Sequence, residues 1–82
     1  MNESEFNALS QMGKASLVLD QGQEVMNRIY LFYNIKLYLF SGIYVEIWYK
    51  QTTNKIDKLI VVELADVMHL YESQINIQDI YS

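Results

Sequence analysis

The side chains that could do chemistry are few, and the first of them is a lone histidine. His69 is the only histidine of the chain, and Asp66 and Glu72 lie one helical turn away from it, so the three groups could hold a metal ion loosely. Their spacing is not the HExxH of zinc proteases, and the chain has no cysteine that could supply a thiolate. A solvated helix face explains them more simply, and we predict no metal site and no cofactor.

A second candidate is the pair of opposite charges formed by Lys36 and Glu46. They could act as acid and base, because enzymes tune such groups by burial. A surface ion pair between neighbouring strands explains them with no further assumption, at about 0.2–1 kcal/mol. The three glycines do not form a phosphate-binding loop, and the serines show no catalytic order with His69. We therefore predict that the protein is not an enzyme and has no catalytic residues.

Composition bounds the class of protein. The chain has 82 residues, of which 51% are hydrophobic, and this is typical of one globular domain over residues 1–82. The absence of cysteine and the lack of a secretory pattern in residues 1–10 favour a cytoplasmic location. The net charge is −4, with six basic residues spread along the chain. We expect no nucleic-acid partner, since phosphate binding needs clustered cations.

One segment raises the question of a membrane. Residues 29–49 are mostly apolar and long enough to span a bilayer. The segment also contains Lys36 and Glu46, and each charge near a bilayer centre costs about 2.5–3.5 kcal/mol. Ser41 and Gly42 add a turn signal at its middle. We therefore predict that the protein has no membrane partner.

The elements that would position these residues are two helices and a run of strands. Helices are predicted over 2–19, with Asn2 as the cap and Gly22 as the stop, and over 64–73. Strands are predicted over 24–31, 34–40, 43–50 and 56–62, and a docked tail over 74–82. The first two strands could be one bent strand, because Phe32-Tyr33-Asn34 is a poor turn. The fold class is therefore α+β, with an N-terminal helix, an antiparallel β-meander of three to four strands, and a C-terminal helix packed on one sheet face.

The register of the meander follows from its turns. A three-residue loop, Phe40-Ser41-Gly42, would place aliphatic residues on one face and pair Lys36 with Glu46 across the strands. In the next hairpin, Lys50 would face Asp57.

The third strand carries a resemblance to a known group of proteins. Residues 43–49, Ile-Tyr-Val-Glu-Ile-Trp-Tyr, followed by Asn54-Lys55-Ile56, resemble a group of short uncharacterised bacterial proteins with an aromatic-Val-Glu-Val-Trp-like strand and an Asn-Lys-Ile hairpin. The likeness extends over about residues 14–78. The resemblance implies this hairpin fold and does not imply any activity.

The strongest lead for function is the face opposite the aliphatic one. If both helices cover the aliphatic face, an apolar and aromatic face stays uncovered, and such a patch is uncommon on a monomer. We predict an interface made of Tyr38, Tyr44, Trp48, Leu59 and Val61.

Two functions fit this face. The first is a non-catalytic protein-interaction or structural module, homodimeric through the aromatic face or bound to another protein. The second is a small-molecule binding module with an aromatic-lined cleft between sheet and helix. An internal second core layer, covered by a helix or by the tail, would leave no interface there.

Overall fold

The computed structural model describes residues 2–71, which form an α+β fold. In chain order the elements are α1 (Glu3–Asn7), α2 (Gln11–Gln21), β1 (Gln23–Tyr30), β2 (Tyr33–Phe40), β3 (Ile43–Lys50), β4 (Ile56–Val62) and α3 (Leu64–Tyr71). The four strands form one antiparallel sheet in the order β1-β2-β3-β4. The predicted fold class is confirmed, and the first two strands are separate. The predicted tail over 74–82 and the last residues of the predicted helix over 64–73 lie outside the described residues.

The N-terminal segment forms two helices because it contains two caps. The Asn2 side chain accepts a hydrogen bond of 2.8 Å from the Glu5 N–H and begins α1, as the sequence predicts. Ser10 accepts one of 3.1 Å from the Gly13 N–H and begins α2. The single helix predicted over 2–19 is therefore wrong. Gly22 ends α2, as predicted.

The turn between β2 and β3 has two residues. Ser41 and Gly42 both have positive φ angles, 49° and 79°, which is the signature of the type I′ turn that suits a tight hairpin. Lys36 consequently lies opposite Ile47, and Leu37 lies opposite Glu46. The predicted three-residue loop and the predicted Lys36–Glu46 pair are both wrong.

The pairing of β3 with β4 is also shifted by one residue from the predicted register, in which Lys50 lies directly opposite Asp57. Ile47 lies opposite Leu59, and the register shifts after Trp48. This irregularity still brings Lys50 Nζ to 3.6 Å from the Asp57 carboxylate. The predicted contact between the two charges is confirmed although the register around it is not.

Helices cover both faces of the sheet. Below, the face that packs against α1 and α2 is called the N face, and the face that packs against α3 is called the C face. Phe6 and Val18 pack against Tyr38, Phe40, Val45 and Ile47 on the N face. Val67 and Tyr71 pack against Leu37 on the C face. The prediction that both helices cover one aliphatic face is therefore wrong.

The helices are short. Within residues 2–71, no helix is long and apolar enough to cross a membrane. The segment over 29–49 that raised the question consists of the end of β1, the whole of β2, β3 up to Tyr49 and the two turns that join them.

Candidate interaction surface

The five residues predicted to share an interface lie on both faces of the sheet. Tyr38 is buried in the core of the N face, and Leu59 and Val61 pack partly buried against the same core. Tyr44 packs against α3 on the C face, and the register places Trp48 on that face too. The prediction of one uncovered aromatic face is wrong, because the two-residue turn at Ser41–Gly42 turns the third strand over relative to the predicted register.

The C face contains a buried polar cluster centred on Glu46. Its Oε2 accepts a hydrogen bond of 2.7 Å from the Tyr71 hydroxyl and lies 3.3 Å from Arg28 Nη2. Its Oε1 accepts a hydrogen bond of 3.3 Å from the Trp48 indole N–H. Arg28 and Glu46 are both more than nine-tenths buried. The cluster therefore links β1, β3 and α3 through one carboxylate.

The electrostatics of this cluster favour a structural role. Burial, and after it the hydrogen bond to Glu46, raise the pKa of Tyr71 well above its ordinary value of 10.0, so the hydroxyl stays protonated and donates. Three donors therefore hold one carboxylate in place. Removing one partner of a buried ion pair is strongly destabilising, at about 3–5 kcal/mol. We conclude that the cluster fixes β1 and α3 to the middle of the sheet.

Aromatic rings and cations extend the cluster toward one end of the C face. Lys58 Nζ lies 4.0 Å from the centroid of the Trp48 ring, and the Arg28 guanidinium carbon lies 5.4 Å from it. The Tyr33 ring meets Trp48 edge-on at 5.1 Å, and its hydroxyl donates to Asp57 at 2.9 Å. That hydrogen bond is the main reason why the pKa of Tyr33 is raised. These internal contacts leave Trp48 only partly exposed.

The histidine stays a surface residue. His69 is exposed on α3, and its predicted neighbour Glu72 lies outside the described residues. In the described part of the chain, no group of three histidine, cysteine, aspartate or glutamate side chains is placed to hold a metal ion.

Three recesses bear on the predicted ligand cleft, which stays a prediction. One of about 470 Å³ lies between α2 and the end of β2 and is lined by Leu17, Gln21 and Phe40, so it contains one aromatic ring. The recess between the start of α3 and the sheet has a volume of about 220 Å³ and is lined by Tyr44, Val62 and Leu64, among others. Sites for small molecules are usually larger, at about 300–1,000 Å³. A recess of about 610 Å³ on α2, lined by residues such as Leu9 and Leu17, has no aromatic lining.

Among the described residues, the longest run of exposed apolar side chains lies where β1 ends. Ile29, Tyr30, Leu31 and Phe32 are 62%, 50%, 69% and 74% exposed. Leu31 and Phe32 form the two-residue turn between β1 and β2, and Leu31 has a φ of 53°. The Gln51 N–H donates to the Phe32 carbonyl at 2.8 Å and holds this turn against the turn after β3. We call these four residues the hairpin tip.

The hairpin tip continues into an edge strand. Among residues 2–71, β1 pairs with β2 on one side and with no other strand. Its residues Val25 and Asn27 are exposed, and the pairing shifts at Val25, which marks a β-bulge. An apolar edge strand with an unpaired backbone is a ready template for another chain.

Two residues in the turn after β1 indicate this surface, although the pattern of helices and strands does not. Residues 31 and 32 occupy a tight turn, where glycine and asparagine are favoured, yet they are leucine and phenylalanine. Large apolar residues at a turn contribute little to a core and therefore indicate a contact surface.

Comparisons with known proteins provide no further constraint on this surface. The chain matches no protein-family model, no curated protein and no solved structure. The resemblance of the third strand to short bacterial proteins stays a prediction.

Proposed function

We propose that the protein is a non-catalytic interaction module that forms a homodimer through the hairpin tip and the outer edge of β1. This surface replaces the divided aromatic face as the site of association. The observation that carries the proposal is the run of four consecutive apolar residues, each at least half exposed, at the end of an edge strand.

The backbone of Leu31 gives independent support. A left-handed conformation is unfavourable for a leucine by about 1–2 kcal/mol, and Leu31 adopts it with a φ of 53°. The side chain gains little burial in return, since more than two thirds of it is exposed. Strained residues that persist without a benefit to the fold are typical of contact sites.

A second copy is the simplest partner for an edge strand. Two-fold dimers are the commonest soluble oligomers, and they bring the same surface of both copies together. The hairpin tip combines aliphatic side chains with Tyr30 and Phe32, and aromatic residues are enriched at the centres of interfaces. Burial of both tips would remove these side chains from water in both copies at once.

Light scattering coupled to size exclusion tests the proposal on the whole chain. We expect twice the monomer mass of 9.7 kDa for the wild type. Phe32→Ser should weaken association by about tenfold or more, because an exposed aromatic anchor is lost.

The matched control is Met12→Ser. Met12 is 82% exposed on α2 and is not part of the hairpin tip or of β1, so its substitution should leave the mass unchanged. A monomeric wild type would overturn the proposal, as would a Phe32→Ser variant that dimerises as tightly as the wild type.

A further inference from the structure

We infer that two copies of this chain pair antiparallel through β1, so that their sheets join into one continuous sheet about a two-fold axis at Asn27. The inference rests on the proposed function and adds the strand, the direction and the register of the contact. It follows from the backbone of β1, from the side chains on it, and from the distribution of charge along the molecule.

The backbone of β1 offers donors and acceptors on its outer side. A two-residue hairpin turn is closed by a hydrogen-bonded pair, here Tyr30 and Tyr33. Hydrogen-bonded and non-hydrogen-bonded pairs alternate along an antiparallel ladder. Ile29 with Asn34, and Asn27 with Lys36, are therefore non-hydrogen-bonded pairs. The N–H and C=O groups of Asn27 and Ile29 point away from β2 and can bond a further strand.

The side chains select one register for that strand. Outward groups must meet outward groups, so the axis can lie at Asn27, at Arg28 or at Ile29. An axis at Ile29 would place Asn27 opposite Leu31, which belongs to the turn and not to the strand. An axis at Arg28 would place two arginines opposite each other, and like charges in that position are destabilising. An axis at Asn27 places Arg28 opposite Met26 and Ile29 opposite Val25 of the second copy. The exposed side chain of Ile29 then lies beside the bulge of the second copy, where the regular ladder ends.

The C-terminal part of β1 lacks some of the usual features that prevent such pairing, although the strand has a bulge at Val25 and the buried charge of Arg28. Natural edge strands are protected by lysine, proline or inward-pointing charges, and β1 has neither lysine nor proline. Its exposed charge, Glu24, lies 3.5 Å from Lys36 of the same chain. The bulge at Val25 limits the regular ladder to the C-terminal part of β1. A short ladder of this kind favours a closed pair over open-ended association.

Charge is sorted along the strand direction, and this favours an antiparallel arrangement. The end of the sheet with the hairpin tip has Lys50, Lys55 and Lys58 and one carboxylate, Asp57, around the turn after β3. We call it the lysine end. The opposite end has Glu3 and Glu63 beside the turn after β2, and we call it the acidic end. Antiparallel pairing of β1 places the lysine end of each copy beside the acidic end of the other, and this complementarity steers association.

Substitutions at Asn27 test the pairing directly. Asn27→Pro removes an outward N–H and leaves the ladder with β2 intact, since proline is tolerated on an edge where its nitrogen faces solvent. Asn27→Lys places two lysines opposite each other at the axis without a change in backbone geometry. Each variant should weaken association by about tenfold or more in size exclusion with light scattering. Ser16→Lys adds the same charge on the exposed side of α2 and should have no effect.

A single cysteine gives a positive readout of the register. The natural chain has no cysteine, so Asn27→Cys introduces one thiol per copy at the axis. Facing residues of an antiparallel pair have Cα atoms about 5.5 Å apart, within the range for a disulfide. Mild oxidation should convert Asn27→Cys into a covalent dimer, whereas Ser16→Cys should stay monomeric on a non-reducing gel.

The outcomes separate this inference from the proposed function. If the wild type is a dimer that Phe32→Ser dissociates but both Asn27 variants leave intact, the copies meet at their tips, and the pairing of β1 is overturned. The pairing is also overturned if Asn27→Cys does not cross-link in a dimer that forms normally. If the wild type is a monomer, the proposed function itself fails. Far-UV circular dichroism of each variant shows that the sheet is intact.

Discussion

Leu31 combines backbone strain with an exposed apolar side chain at one position. Its φ of 53° lies in the left-handed region, which asparagine adopts more readily than leucine does. Leu31→Asn should therefore raise the free energy of unfolding by about 1 kcal/mol, which is about 4–8 °C in Tm for a domain of this size. The same variant should weaken association. Thermal unfolding at low concentration and light scattering at high concentration measure the two effects.

The control for Leu31→Asn is Ser41→Asn. Ser41 also has a left-handed φ, 49°, in the turn after β2, so the substitution introduces the same residue at a turn remote from the hairpin tip. It should leave the dimer mass unchanged. A Leu31→Asn variant that loses stability, or that associates as tightly as the wild type, would contradict the account of this turn.

Glu46 shows which site residues the sequence could not assign. A charge on the next strand, Lys36, satisfies the rule for cross-strand pairs in the predicted register. The real partner, Arg28, lies on β1, with β2 between the two strands. No spacing rule connects residues on strands that are not neighbours, and the partner Tyr71 comes from a helix. The buried cluster therefore depends on tertiary structure that local patterns do not encode.

At the scale of elements, the strands could be predicted but their register could not. β-branched and aromatic residues mark all four strands, although the turn at Leu31-Phe32 between β1 and β2 has no turn signal. The capping groups Asn2 and Gly22 lie where the sequence places them. Register is normally revealed by one apolar and one polar face. Here α1 and α2 cover one face and α3 covers the other. Apolar residues therefore occur on both sides of each central strand. Two registers that differ by one residue both give apolar faces, so the pattern does not distinguish between them.

The short third helix depends on its contacts with the sheet. α3 has eight residues, and isolated helices of this length are not stable in water. Val67 and Tyr71 bury its inner face, and the hydroxyl of Tyr71 bonds Glu46. Glu46 also bonds Arg28, so the same carboxylate holds both α3 and β1 against the sheet.

The whole molecule should lose stability at alkaline pH. Burial raises the pKa of Tyr38 on the N face to about 12, and Tyr71 on the C face is shifted in the same direction. Unfolded tyrosines ionise near 10.0, so above that pH the unfolded chain binds fewer protons than the folded one. The free energy of unfolding is then maintained below about pH 10 and falls as the pH rises toward 12.

Urea denaturation over a series of alkaline pH values measures this loss. Tyr38→Phe removes one of the ionising groups and should make the decline shallower than in the wild type. A wild-type stability that stays constant from neutral pH to about pH 12 would show that Tyr38 is not held in its protonated form by burial.

Association is also a property of the whole molecule, because it combines the hairpin tip, the outer edge of β1 and the separation of charge between the two ends. The measurement that tests this central claim most directly is amide hydrogen exchange of the wild type at low and at high protein concentration. The account predicts that the Asn27 and Ile29 amides, which point away from β2, exchange about tenfold more slowly at high concentration, while the exposed part of α2 around Met12 is unchanged. Exchange in β1 that does not depend on concentration, or protection that appears on α2 instead, would contradict it.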